Sequence, residues 1–427
     1  MQCKLFARPF LIFMVTMASL LIFQGQSRAE WGLARGVGMG GAISALARGA
    51  EAPAYNPANL AYRQPHSWSF SVLGVGGFIA NNSFSIEHYN RYNGKFLTEK
   101  DKEEILSHLK NHTLLFDSKG HAQALSLAYK NFAFSLSWLA GARGDIAKEI
   151  FELGLMGNEL DRKYDFNPIS GQVLSARVMS LSAALPLKMP FENIDTFAFG
   201  LSLSYISGLS YGNVNESIAQ SLTGLTSTQA RGSMIVQSAR GGHGYGFNLG
   251  MAMAIDQSWY LSVCMENMIS TVTWNRDPEL TISRFELVDN RFSDLFTENK
   301  NIDSVFVSSD TTYSIAPFTY DLPSVLRLGA AYEINNATLA FEIVQGFKES
   351  AWSERQMRFS LGAEYKPFSW LDLRSGFLRQ EHIWAMSYGT GFYLGSLRWD
   401  LALKSFGHVL PGQGTGLGAA MGFQFLF

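Results

Sequence analysis

Gln356-Met357-Arg358-Phe359-Ser360-Leu361-Gly362-Ala363-Glu364-Tyr365-Lys366 alternates without a break. In an extended chain successive side chains point to opposite faces. Met357, Phe359, Leu361, Ala363 and Tyr365 then share one face, and Arg358, Ser360, Gly362 and Glu364 the other. A helix would scatter both sets around its circumference. Residues 244–255 and 396–404 repeat the pattern. About fourteen such segments can be marked, each near the 9–11 residues that cross a bilayer as a strand. They lie at 67–80, 121–130, 133–141, 173–186, 196–209, 244–255, 258–274, 324–333, 336–346, 356–366, 369–379, 383–394, 396–405 and 416–427. The fourth, which contains Arg177, alternates least regularly.

The connections alternate in length. Residues 81–120, 141–172, 209–243 and 275–322 form long polar loops, and 188–195 a shorter one. Tight turns fall at 130–131, 256–257, 335–336, 367–368 and 394–395. Outer-membrane barrels have short periplasmic turns and longer external loops. A soluble sandwich has no reason to gather its long loops at one end. The polar faces agree with a lumen. Arg327, Glu342, Arg358, Glu364, Asp372, Arg374, Arg398 and Asp400 share the inward side of neighbouring strands, where opposite charges can pair across the sheet. Glu333 and Lys404 join them. The bland reading is a solvated sheet face. The last strand carries Leu417, Met421, Phe423, Phe425 and a terminal Phe427 on alternate positions, as the final strand of a bacterial barrel does.

Bulk properties fit. Of the 427 residues 16% are charged, against roughly 25% in soluble domains. No internal run reaches the roughly 18 apolar residues of a spanning helix. Aromatics reach 13% and there are 40 Gly, which suits a wall with lipid outside and close packing inside. Lys4 and Arg8, the apolar stretch 11–23 and Ser27-Arg28-Ala29 make a secretory signal over 1–29, cleaved before Glu30. Its removal leaves a net charge of about −5, which disfavours a nucleic-acid partner. Only Cys264 remains, so no internal disulfide forms. The expectation is an all-β, transmembrane antiparallel barrel in the bacterial outer membrane, spanning 67–427 with long extracellular loops.

Residues 31–63 do not alternate. Gly36, Gly38, Gly40, Gly41, Ala42, Ala45 and Ala47 make the stretch small enough for close backbone packing. It is too short for a domain of its own, and its simplest place is inside the lumen, as a plug over 30–66. The run Gly38 to Ala42 followed by Asn56-Pro57-Ala58 resembles the N-terminal hatch of FadL/TodX-type outer-membrane transporters, and also barrels of the type IX secretion shuttle kind. The resemblance places Gly38, Gly40, Gly41, Asn56, Pro57 and Ala58 in a hatch. It implies passage of a hydrophobic compound from an external groove to a lumen pocket. Release follows a hatch shift, commonly sideways through a disrupted strand early in the barrel. Residues 132–140 contain no interior Pro or Gly to mark that disruption.

Other motifs give weaker readings. Gly36-x-Gly38-x-x-Gly41 matches a dinucleotide fingerprint but lacks a preceding strand. Gly208-Leu209-Ser210-Tyr211-Gly212 matches a nucleophile elbow but enters a loop rather than a helix. The eight His form no H-E-x-x-H, so neither metal nor cofactor is expected. In the first external loop Thr98 can cap a helix with Asp101 three residues on, and Ile105, Leu106 and Leu109 form its apolar stripe. In the next, Ile146, Ile150, Phe151, Leu153, Leu155 and Met156 gather with few charges. These apolar loop residues either capture ligand or pack against one another. The favoured function is passive, non-enzymatic uptake of a fatty acid-like or aromatic hydrophobic molecule. The alternatives are a barrel that docks a secretion or assembly partner, and a surface hydrolase using Ser210.

Overall fold

The computed structural model describes residues 32–64, 66–109, 113–225, 227–291, 306–380 and 383–427. The expected signal peptide lies outside these residues. The chain folds into one antiparallel sheet of β1 Trp68–Asn81, β2 Thr113–Tyr129, β3 Phe132–Ala147, β4 Lys163–Asp165, β5 Ser170–Leu187, β6 Ile194–Thr223, β7 Ser227–Ile255, β8 Trp259–Arg291 and β9 Phe306–Ser314, continuing with β10 Phe318–Asp321, β11 Val325–Ile334, β12 Ala337–Gly346, β13 Arg358–Phe368, β14 Leu371–Gln380, β15 Ile383–Leu394, β16 Leu397–Phe406 and β17 Gly416–Leu426. Three short strands (β4, β9 and β10) extend the sheet locally. The other fourteen close a ring, in which β8 pairs with β11 and β17 returns to β1. All fourteen alternating segments are strands of this ring.

Two readings of the connections need correcting. The turn expected at 367–368 falls at 369–370, because a register shift between Tyr365 and Phe368 carries β13 onward. The 209–243 and 275–322 stretches are largely not loops. They are the distal parts of β6, β7 and β8, which run 30, 29 and 33 residues, with β9 and β10 added alongside. At about 3.3 Å per residue such strands approach 100 Å, several times a bilayer's hydrocarbon core. Their distal sequence is rich in Ser, Thr, Gln, Asn and Arg on both faces. A sheet wetted on both sides has no need of an apolar face, so period-two hydrophobicity vanishes while ladder pairing continues.

The outer wall is apolar through the membrane height. Leu339, Leu361, Leu373 and Leu403 are all exposed on alternate strand positions. Aromatic pairs ring the short-turn end, among them Trp68–Tyr129, Trp259–Tyr332 and Phe368–Trp370 with centroids 4.3, 4.6 and 5.6 Å apart. Tyr205 and Tyr245 pair outside, higher on the wall. Aromatic girdles flanking an apolar band are the mark of a membrane barrel.

Residues 32–64 have little regular structure: a short helix at Ala34–Gly38 and 3-10 turns at Gly49–Ala54 and Pro57–Ala61. Nearly all are buried. They touch β1, β6, β7, β11, β13, β14 and β15, strands spread around the whole ring, so the segment lies within it.

Candidate ligand conduit in the lumen

Wall glycines make room for the inner segment. An added Cβ on Gly200 of β6 would overlap the backbone of Pro57 and Ala58, and one on Gly250 of β7 would strike Asn56. Backbone therefore lies directly on wall at Asn56-Pro57-Ala58, an approach open only to glycine. Asn56 fixes the contact. Its Nδ2 donates to Met251 O at 2.9 Å and Ser262 Oγ at 2.8 Å, and its Oδ1 accepts from Ala58 N at 2.9 Å. Across the lumen, Gly376 and Gly362 meet Met39 and Gly40, and Gly389 meets Gly38. Gly40 and Gly41 have φ of +65° and +93°, a region that penalises any side chain.

Charge fixes the rest. Glu342 Oε2 accepts the backbone N–H groups of Ile43 and Ser44 at 3.0 and 2.8 Å, while Oε1 accepts from Arg327 at 3.0 Å. Arg358 lies 3.7 Å from the same carboxylate. Glu364 receives Arg35 through two parallel bonds of 3.0 Å and Arg374 at 2.6 Å. Arg374 continues to Asp372 at 2.8 Å and Asp400 at 2.7 Å, and Arg398 pairs Asp400 at 3.0 Å. Glu51 of the inner segment lies 3.3 Å from Arg35 and 3.8 Å from Arg398. The lumen carboxylates and arginines singled out by inward alternation thus form two clusters, each bonded to residues 35–51.

Above the segment is a cavity of about 210 Å³. Gln123, Ser137, Ile206, Asn248, Trp352 and Glu354 are among its lining. His121 also faces it, 8% exposed, with no hydrogen-bond partner at Nδ1. Farther toward the long-loop end the lumen turns apolar. Tyr211, Trp274 and Tyr320 are buried together, with Tyr211 centroids 5.5 Å from Trp274, 5.4 Å from Tyr320 and 5.2 Å from Phe318. The β12–β13 connection folds inward beside them. Trp352 Nε1 donates to Leu174 O at 2.9 Å, and Ala351 N to Gln172 Oε1 at 2.8 Å.

One stretch of wall beside the cavity is irregular. The β7–β8 register shifts so that Asn248 alone faces Glu266, Asn267 and Met268, and Asn267 has φ +50°. On its other side β8 changes partner here, from β11 at Val325 to β10 at Asp321. Pro323, without an N–H, occupies the gap. Side chains replace much of the ladder: Asn267 Nδ2 donates to Pro323 O at 3.2 Å, Ser324 Oγ to Asn267 O at 2.8 Å, and Asn267 N to Asn248 Oδ1 at 2.8 Å. Asn248, Asn267 and Pro323 line the cavity, while Ile269 is 71% exposed on the outer side. By contrast β3 pairs with β5 without a shift.

The external apolar residues lie elsewhere. Thr98 and Asp101 form a reciprocal cap on the Glu99–His108 helix. Hydrogen bonds from Lys95 and Thr98 hold the Asp101 carboxyl well below the ordinary carboxylate range. Leu106 and Leu109 are buried and Ile105 partly so. Ile146 is the penultimate residue of β3; Ile150, Phe151, Leu155 and Met156 lie on the Lys148–Met156 helix, which contacts the Glu99–His108 helix. Neither group reaches the cavity. Ser210 sits inside β6, its Oγ 2.6 Å from Ser175 Oγ, not at a strand-to-helix elbow. Sequence reasoning missed Trp352, Tyr211, Trp274 and Asn267. For Tyr211 the signal was present, as a bulky aromatic inside a stretch assigned to a polar loop, and Trp274 closes the alternating segment 258–274.

A closed ring of fourteen strands, apolar outside and charged within, defines a bacterial outer-membrane β-barrel. Its fold is the FadL/TodX type. The toluene transporter TbuX of Ralstonia pickettii superposes at a TM-score of 0.51 with 15% identity, covering 93% of this chain and 98% of that one. The Pseudomonas putida toluene transporter TodX superposes at 0.53 with 11% identity, over 95% and 100%. No family model and no curated protein matches the sequence.

Proposed function

We propose that the protein is a passive outer-membrane channel for hydrophobic small molecules. The observation that carries this reading is the Tyr211, Trp274 and Tyr320 cluster buried inside the barrel with Phe318 packed against it, whose further members Ile206, Leu322 and Trp352 line the cavity above the inner segment. A water-filled pore gains nothing from apolar aromatics in its lumen, whereas a hydrophobic solute binds to such surfaces. The described neighbours TbuX and TodX are transporters of toluene, an aromatic solute of the kind such a cluster accommodates. Residues 30–66 act as the hatch, with Gly38, Gly40, Gly41, Asn56, Pro57 and Ala58 seating it. The two charge clusters hold it, so the axial way down is closed at rest. The loop residues Ile146, Ile150, Phe151, Leu155 and Met156 form the outermost apolar surface a solute meets, while Leu106 and Leu109 are buried, and Ile105 partly so, at the neighbouring helix.

Exit runs sideways through the Asn267–Pro323 break, where few backbone bonds separate cavity from lipid. The test is a disulfide lock. In a Cys264→Ser background, Asn267→Cys with Pro323→Cys is oxidised in intact cells. Entry of the hydrophobic dye N-phenyl-1-naphthylamine, which the outer leaflet excludes, is then followed by fluorescence. Entry is expected to slow on oxidation and recover with reductant. Unchanged entry with the crosslink formed sinks the lateral route. Organic extraction and mass spectrometry of the purified protein separates the alternatives: bound lipid or hydrocarbon supports the channel, and a stoichiometric co-purifying protein supports a docking barrel.

A further inference from the structure

Arg177 is the residue at which the alternation of its strand falters. In the fold it is exposed, between Ala176, packed in the lumen cluster, and Val178, which faces the cavity. It therefore points out of the barrel. An outward arginine is costly at the bilayer midplane and cheap at the interface. Arg177 stands ten residues from the short-turn end of β5 at Leu187, about the full span of a crossing strand. Its height is thus the outer interface.

Its neighbours share that character. Arg177 pairs in register with Ser207, and Ser207 with His243. One step nearer the membrane centre on the same face are Tyr205 and Tyr245, the upper aromatic pair. One step outward, Arg240 and Arg276 are register partners of each other, and both are exposed. Ser210, the partner of Arg240 on β6, bonds Ser175, which lies between the lumen-facing Leu174 and Ala176. The two arginines consequently lie on the outer side as well. Asp277 and Glu279 follow on β8, yet Arg177, Arg240 and Arg276 form no ion pair among the described residues. The lumen behaves differently: Arg35, Arg327, Arg374 and Arg398 are each bonded to a carboxylate.

Like charges placed opposite one another on adjacent strands repel. Three arginines without an ion-pair partner among the described residues, above an aromatic pair, present positive charge that an anion from outside the chain can neutralise. At this height on the outer wall, the available anions are lipid headgroups. We infer that the outer face of β5–β8 binds a diphosphorylated lipid of the outer leaflet, with Arg177, Arg240 and Arg276 holding its phosphates and Tyr205 and Tyr245 its acyl chains. Guanidinium groups suit this ligand, since their planar fork matches phosphate oxygens.

The test is native mass spectrometry of the full-length detergent-solubilised protein. The probes are diphosphorylated lipid A, phosphatidylethanolamine and inorganic phosphate. Lipid A adducts are expected on the wild type, with about tenfold weaker retention in the Arg177→Gln, Arg240→Gln, Arg276→Gln triple variant, the scale expected for lost charge-assisted bonds. Arg177→Lys should retain more than Arg177→Gln. If the triple variant fails to fold, as read by heat-modifiable migration on gels, Arg240→Gln alone supplies the comparison. Equal retention by variant and wild type, equal binding of phosphatidylethanolamine, or displacement of lipid A by millimolar inorganic phosphate overturns the assignment.

Discussion

Glu364→Gln is expected to free the inner segment and convert a closed barrel into an ion-conducting one. Glu364 is 2% exposed and carries both Arg35, through two parallel bonds, and Arg374. The substitution keeps shape and removes charge. Arg374 retains Asp372 and Asp400, but Arg35 keeps Glu51 as its one carboxylate, with Leu46 O beside it. Breaking a buried pair by neutralising one partner typically costs about 3–5 kcal/mol, because the other charge stays buried. Most of that cost can be relieved by Arg35 leaving the wall for water, which draws the segment with it. Planar-bilayer recording should show open-channel current in Glu364→Gln where the wild type is nearly silent. The Arg35→Met, Glu364→Met double variant removes both charges and should be quieter than Glu364→Gln alone. Equal conductance in wild type and Glu364→Gln would mean that this ion pair does not hold the segment.

Gly200→Ala, a single added methyl, is expected to unseat Asn56-Pro57-Ala58. The new Cβ has no free space, since it falls on backbone atoms of Pro57 and Ala58 rather than on a movable side-chain tip. Overpacking of this kind costs about 1–3 kcal/mol where the neighbour cannot yield. Here the neighbour is a separate segment, so it yields by moving off the wall and giving up the bonds from Asn56 to β7 and β8. Gly120→Ala is the matched control, because a Cβ there meets nothing within 4 Å. Protease nicking near Arg48 and Arg63, or raised conductance, should appear in Gly200→Ala and not in Gly120→Ala. Identical behaviour of the two variants contradicts the close seating at Gly200.

The sequence carried the membrane-spanning part of the fold because lipid imposes a rule on every second residue there. Leu361 faces outward and Glu364 inward by parity alone, and the fourteen strands follow. Where lipid ends, the rule ends. The distal halves of β6, β7 and β8 carry polar residues on both faces and read as loops, although they continue the same ladders. Part of the aromatic cluster was hidden for the same reason, with Tyr211 lying inside one of those stretches; Trp274 ends an alternating segment, where parity sets a wall position but not the cluster it joins. Asn267 was hidden differently: a bulge leaves no composition signal, and Pro323 marks it only once its partner strand is known. Trp352 belongs to a connection that folds inward, and short-range patterning cannot distinguish that from one that folds out. The glycine-rich segment was legible as something needing close contact. Its wall partners Gly200, Gly250 and Gly376 were not singled out, because parity marks them as inward positions without a side chain but not as contacts of that segment.

The most direct test of the central claim is the rate at which cells admit a hydrophobic dye. N-phenyl-1-naphthylamine entry is measured in cells making the full-length barrel, and in matched cells making a folded, heat-modifiable Trp274→Glu, Tyr211→Glu variant. If the aromatic lumen is a hydrophobic conduit, the wild type admits the dye severalfold faster than cells without the protein, and the variant loses most of that gain. Equal entry in all three, with both proteins folded in the outer membrane, contradicts a hydrophobic channel.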